Sequence, residues 1–100
     1  MSEFETIICE LISLSGTAKS QYILAIEAAK KGEDYSELIK QGDETFMKAH
    51  EKHFELLTKS ANQNIETNLL IVHAEDQFCF AETCRVFAKE FIEIYKKLNK

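Results

Sequence analysis

Two residues of this sequence combine reactive side chains with an apolar setting, His73 and Asp76. Residues three apart on a helix share a face, so the imidazole should stand one turn before the carboxylate. A neutral imidazole is a good nucleophile, and histidine forms covalent intermediates in group transfer. A lone histidine on an apolar face is more often a packed, hydrogen-bonded residue, so both roles stay open for His73.

Asp76 lies at the middle of an apolar helix face, with no Lys or Arg one turn away. Its neighbours on that face include Leu69, Val72, Cys79 and Phe80. A buried carboxylate costs several kcal/mol unless it is paired or bound to a cation. Three explanations remain open: an ion pair with His73, a cation held where symmetry copies meet, or a hydrated position. Carboxylate oxygens suit magnesium or calcium.

His50 and His53 lie three residues apart, which superficially resembles a pair of metal ligands. No third ligand is evident in the sequence, so we expect His53 to pack in the bundle and His50 to mark the rim of a site. Cys79 and Cys84 lack the spacing of a zinc or redox motif, and we expect all three cysteines, including Cys9, to be packed, reduced thiols.

The elements that must position these residues are predicted to be long helices, since the chain has no proline and only three glycines. Ser-x-x-Glu and Asp-x-x-Glu patterns at residues 2–5 and 34–37 predict capping boxes that start helices one and two. The predicted helices end near Lys30, Ser60 and Leu98, with a loop over 62–67 and a third start near Asn68. We therefore predict an all-α, up-down-up three-helix bundle in one domain, 1–100.

The net charge and the lengths of the apolar runs exclude several classes of function. A formal net charge of −5 argues against nucleic acid or an anionic membrane as the main partner. The apolar runs are too short to span a bilayer, and the polar, acidic first residues predict no signal segment and a cytoplasmic protein. The apolar arc of helix three covers well over half its circumference, which predicts burial against other subunits.

Residues 73–76, His-Ala-Glu-Asp, resemble the helix-three signature of the lactose/cellobiose-type enzyme IIA family of the bacterial sugar phosphotransferase system. Residues 15–20 resemble the family's Gly-x-Ala-Arg-Ser stretch, and residues 48–50 resemble its Glu-Ala-His. Residues 70–72 and 91–97 also fit the family pattern. The similarity covers essentially the whole chain.

This resemblance implies a homotrimer of three-helix subunits, a nine-helix assembly. It implies that His73 accepts a phosphoryl group from phosphorylated HPr and passes it to a cysteine of the sugar-specific IIB component. The route serves uptake, through the IIC membrane component, of a disaccharide of the lactose, cellobiose or chitobiose class. Asp76 and its two symmetry copies would hold a divalent metal, Mg²⁺, at the trimer axis.

Two departures from the family pattern lie beside His73. Gln77 replaces a second histidine, although its amide can still donate a hydrogen bond to a phosphoryl oxygen. Glu75 replaces a glutamine and adds negative charge. Gln77 and His50 are predicted to line the phosphoryl pocket. One alternative is a trimeric interaction or regulatory protein of the same family that has lost phosphotransfer, and another is a metal-dependent helical bundle of unrelated role.

Overall fold

Three long helices make up most of the structure, a computed structural model that describes all 100 residues. Helix α1 spans Glu3–Lys30, α2 spans Ser36–Gln63 and α3 spans Leu69–Leu98. No strand is present. Because the connecting segments are short, successive helices run up, down and up in a body of 54 × 18 × 17 Å. The predicted three-helix bundle is confirmed, while its assembly into a trimer stays a prediction.

The first predicted capping box is present. The Ser2 hydroxyl accepts a hydrogen bond from the Glu5 backbone N–H at 3.1 Å, and the Glu5 carboxylate accepts one from the Ser2 N–H at 3.2 Å. These bonds satisfy two groups that a helix start leaves without intrahelical partners. They also hold the pKa of Glu5 below its ordinary value, chiefly through the bond with Ser2.

The second predicted capping box is wrong. Helix α2 begins after Tyr35, whose side chain makes no capping bond. Asp34 instead accepts a hydrogen bond from the Ser36 N–H at 3.0 Å, and no reciprocal bond from Glu37 forms. The pattern failed because the Asp34 carboxylate closes a local turn with Ser36, one of several roles open to short acidic side chains.

Helix α2 also runs further than predicted, to Gln63. It ends at Asn64, which has a left-handed φ of 50° and donates its N–H to the Ser60 carbonyl. Asparagine tolerates this conformation better than most residues, so it can close a helix as glycine often does. Asn68 then caps α3 by accepting a hydrogen bond from the Ile71 N–H at 3.0 Å, which confirms the predicted start.

Helix α1 supplies much of the core because it packs against both other helices, whereas α2 and α3 touch each other at fewer points. The fully or nearly fully buried apolar residues of α1 are Ile7, Ile8, Leu11, Ala18, Tyr22, Ala25 and Ala29. From α2 and α3 the core receives Phe46, Ala49, Leu56, Ala74, Phe78, Ala81, Ala88 and Ile92. Small alanines let the helices approach closely along this seam.

A polar cluster joins all three helices, in the second half of α1 and α3 and the first half of α2. The buried Tyr22 hydroxyl of α1 donates to Asp43 of α2 at 2.6 Å. Asp43 in turn faces Lys89 and Arg85 of α3, at 3.3 and 3.7 Å. Burial, followed by the bond with the Asp43 carboxylate, raises the pKa of Tyr22 well above its ordinary value. The tyrosine therefore stays a neutral donor.

An apolar face of α3 remains uncovered within the chain, as the wide apolar arc predicted. Its large side chains are 41–84% exposed: Leu69, Val72, Phe80, Phe87 and Ile94. Apolar patches of this extent are typical of protein–protein contact sites. No stretch of the three helices has the length and apolar character that crossing a bilayer requires.

Candidate functional site

His73 lies in the second turn of α3 with its side chain exposed. Leu69 and Leu70 flank it and share a shallow surface depression with the imidazole. The ring forms no hydrogen bond or ion pair with any other group of the chain. A docking partner can therefore reach either ring nitrogen without first breaking a bond.

Asp76 is also exposed, one turn after His73. It lines a second depression together with Cys79, Phe80 and Thr83. The carboxylate forms no ion pair in the chain, so the pairing with His73 that the sequence left open does not occur. Water can solvate Asp76 in a single chain, and any burial of this carboxylate requires another molecule on the α3 face.

The expectation of packed thiols is wrong for two of the three cysteines. Cys9 and Cys79 are exposed and Cys84 is half-buried. Cys79 was misplaced because it lies on the apolar α3 face that no helix of the same chain covers. All three thiols are free, as expected.

No three His, Cys, Asp or Glu side chains of the chain converge on a point where they could hold a metal ion. His50 and His53 both turn toward Phe78, with ring centroids 6.2 and 4.3 Å from it, and no third ligand joins them. Asp76 offers a single carboxylate, a donor that suits a hard cation such as Mg²⁺. A metal bound by one chain alone is therefore not supported, and a site shared between copies stays a prediction.

Glu75 turns away from His73 toward α2. Both of its carboxylate oxygens lie within hydrogen-bond distance of His53 Nε2, at 2.8 and 2.9 Å. Residues two apart on a helix point to nearly opposite sides, so the extra negative charge lies away from the exposed imidazole. The expected packing of His53 in the bundle is confirmed, and its hydrogen-bond partner is Glu75.

His53 belongs to an aromatic stack that fastens α2 to α3. The stack consists of Phe46, Phe78 and His53, with centroid separations of 5.4 Å between the phenylalanines and 4.3 Å between Phe78 and His53. Phe46 and His53 are two helical turns apart on α2, which leaves room for one α3 ring between them. The Arg85 guanidinium covers Phe46 at 5.5 Å.

His50 and Gln77 flank this stack on opposite helices. His50 is exposed and meets the edge of Phe78, the residue that follows Gln77. Gln77 is half-buried one turn after His73. Neither side chain forms a hydrogen bond in the chain, so both have free donors. The structure thus places His50 beside the α3 turn that follows His73, without a direct bond between the predicted pocket residues.

Sequence reasoning missed two polar contacts, the His53–Glu75 pair and the Tyr22–Asp43 bond. Each contact joins residues more than twenty positions apart on different helices, so no local sequence pattern predicts it. The available signal was that a histidine or tyrosine within an apolar stripe needs a polar partner when it is buried.

Comparison with known proteins gives a consistent result. The sequence model of the family described as the PTS system, lactose/cellobiose-specific IIA subunit, matches residues 6–96. The lichenan-specific phosphotransferase enzyme IIA component of Bacillus subtilis (strain 168) is 36% identical over 98% of this chain and 92% of the relative. The N,N'-diacetylchitobiose-specific EIIA component of Escherichia coli (strain K12) is 30% identical over 97% of this chain and 86% of the relative.

Solved structures agree with the sequence comparisons. The cellobiose-specific enzyme IIA from Bacillus anthracis superimposes with a TM-score of 0.91 at 34% identity, over 99% of this chain and 94% of that one. A chain of the IIA(chitobiose)–HPr complex of the Escherichia coli phosphotransferase system superimposes with a TM-score of 0.85 at 26% identity, over 100% of this chain and 100% of that one.

Proposed function

The chain belongs to the lactose/cellobiose-specific IIA family of the phosphotransferase system, and on that premise we propose that His73 carries a phosphoryl group between two partner proteins. The observation that carries the proposal is an exposed imidazole, free of internal hydrogen bonds, on the uncovered apolar face of α3. His50 is exposed too, but it lies on α2, outside residues 73–76, which resemble the family's helix-three signature, and His53 is bonded to Glu75.

The donor in this proposal is phosphorylated HPr. The chitobiose relative has been solved with HPr, which supports the same donor for this chain. A His73 nitrogen would attack the phosphorus as the phosphorus–nitrogen bond to the HPr histidine breaks. In the second step, the thiolate of a IIB cysteine would attack the phosphorus. The phosphorus–nitrogen bond to His73 would break, and its electron pair would return to the His73 nitrogen. Neither step needs a covalent contribution from any other residue of this chain.

Positioning and charge compensation are therefore the tasks left to the surrounding residues. The Gln77 amide, one turn after His73, would donate a hydrogen bond to a phosphoryl oxygen. His50 would line the α2 side of the same pocket. Leu69 and Leu70 would exclude water at the rim once a partner docks. Because the chain offers His73 no acceptor, the group that fixes its tautomer would come from another chain.

A homotrimer completes the proposal. The uncovered α3 face is wide enough to need a partner, and Asp76 lies in its middle. Three copies of this carboxylate would meet at the trimer axis, where a divalent cation such as Mg²⁺ would offset their repulsion. The protein would act in the cytoplasm with IIB and IIC components, during uptake of a disaccharide of the lactose, cellobiose or chitobiose class.

The test is to incubate the full chain with phosphoenolpyruvate, enzyme I and HPr, and to measure its intact mass. We expect a gain of one phosphoryl group that is acid-labile, alkali-stable and absent when HPr is omitted. His73→Ala should abolish the gain. His50→Ala should still gain one phosphoryl group, because His50 lines the pocket without accepting the group. Lys52→Ala serves as the matched control, because Lys52 pairs with Glu10 of α1 and lies outside the pocket.

A wild-type chain that gains no mass from competent carriers would overturn the relay. That outcome would favour the regulatory alternative, a family member that has lost phosphotransfer. The relatives described above are all IIA components, which favours the relay.

A further inference from the structure

The α3 turn that carries His73 has one polar tie to the rest of the chain, the bond from His53 of α2 to Glu75. The other polar side-chain links between α2 and α3 run from Asp43 to Lys89 and Arg85, in the second half of α3. The position of the first half of α3 against α2 therefore depends on one hydrogen-bonded pair and on apolar packing.

His53 is itself held firmly. Its ring stacks on Phe78 at 4.3 Å and 14°, and its side chain is only 19% exposed. The stack fixes the plane of the imidazole, which in turn fixes where Nε2 points. Nε2 must carry a proton to donate to Glu75, because a carboxylate only accepts. Both oxygens of Glu75 share that donor, so the carboxylate has little freedom to leave α2.

Glu75 and His73 belong to the same helical turn, so holding one sets the rotation of the other about the α3 axis. His73 makes no bond of its own that could correct an error in that rotation. We propose that His53 is a positioning residue for the relay: through Glu75 it sets the direction of the His73 imidazole. This inference rests on the proposed function and adds a residue from α2 to it.

Two substitutions at His53 separate its bond from its stacking. His53→Phe keeps a ring for Phe78 but removes the donor. His53→Gln keeps an N–H donor for Glu75 but removes the ring. Lys52→Ala is the matched control, because the neighbouring Lys52 makes a 2.8 Å ion pair with Glu10 of α1 and has no link to α3. All three are measured as full chains with phosphorylated HPr as the donor.

We expect His53→Phe to lower kcat for phosphoryl transfer about tenfold, with KM for phosphorylated HPr changed by less than about twofold, because transfer rates fall steeply when a reacting group is misaligned. His53→Gln should recover most of the loss, and Lys52→Ala should transfer at the wild-type rate. Equal kcat for His53→Phe and Lys52→Ala would overturn the proposal, and so would a His53→Gln rate as low as that of His53→Phe.

A second readout does not depend on the relay. The Cε1–H and Cδ2–H resonances of His73 in the unphosphorylated chain should move in His53→Phe and stay in place in Lys52→Ala. If the wild-type chain accepts no phosphoryl group, the proposed function fails, while the resonances still decide the positioning role. Unmoved His73 resonances in a folded His53→Phe chain would overturn it.

Discussion

Substituting alanine for Gly42 tests the central packing of the bundle. A Cβ atom at this position would lie 2.8, 3.0 and 3.1 Å from three ring carbons of Tyr22. The ring cannot easily withdraw, because Tyr22 is fully buried and its hydroxyl is bonded to Asp43, the residue next to Gly42. A hydrogen bond to a charged group contributes about 1.5–3 kcal/mol, so stretching it would not relieve the clash cheaply.

Two opposing effects determine how much Gly42→Ala changes the free energy of unfolding. Overpacking a well-filled core costs about 1–3 kcal/mol, whereas replacing glycine by alanine inside a helix gains about 0.8–1 kcal/mol. We therefore expect Gly42→Ala to lower the free energy of unfolding by up to about 2 kcal/mol. For a chain of this size, a loss of about 2 kcal/mol corresponds to a fall in Tm of about 8–16 °C.

Gly16→Ala is the matched control, because it is also a mid-helix glycine and a Cβ there would meet nothing within 4 Å. It should gain about 0.5–1 kcal/mol and raise Tm. Urea and thermal unfolding of both variants at one protein concentration measure the difference. Gly42→Ala should turn stabilising when Tyr22→Leu removes the ring. A Gly42→Ala chain as stable as Gly16→Ala would mean that the Tyr22 ring does not limit the space at residue 42.

Three further perturbations address the polar cluster, the stack and the α3 face. The pKa of Tyr22 is higher in the folded chain than in the unfolded chain, where it is 10.0, so the tyrosine stabilises the fold fully below pH 10. As pH rises above 10, the free energy of unfolding falls by up to about 1.4 kcal/mol per pH unit. Between about pH 9 and 11, urea titrations should show a larger loss of unfolding free energy for the wild-type chain than for Tyr22→Phe. Equal losses in the two chains would contradict this prediction. Phe78→Ala should cost about 3–5 kcal/mol, because it removes the ring between α2 and α3, and a loss below about 1 kcal/mol would mean that the stack is dispensable. Asp76→Leu should leave the proposed trimer intact or raise its Tm, because three converging charges are removed. Sedimentation that shows monomers at the same concentration would instead mean that the cation holds the subunits together.

The fold could be predicted from the sequence because its signals are local and agree with one another. The absence of proline, the capping pattern at Ser2 and Glu5, and the apolar periodicity all favour the same three helices. The capping pattern at residues 34–37 failed because the Asp34 carboxylate bonds to Ser36 without setting the helix start. The helix end at Asn64 was missed because a left-handed asparagine resembles any loop residue in sequence.

The candidate site was predictable only in part. Periodicity placed His73 and Asp76 on one apolar face, and the structure leaves that face uncovered. The wide apolar arc predicted that part of α3 faces other subunits, but it did not specify which apolar residues pack inside the chain, so Cys79 was wrongly expected to be packed. The partner of His53 was out of reach, because pairing across helices depends on their mutual rotation, which one sequence does not specify.

In the proposed relay, the phosphoryl group resides on the imidazole of His73. The most direct measurement is a phosphorus–proton correlation spectrum of the chain after phosphorylation by HPr, with ring protons assigned by single-histidine variants. We expect one phosphorus resonance, coupled to the ring protons of His73. A phosphorus coupled to His50 or His53, or no phosphorus bound to the chain at all, would contradict it.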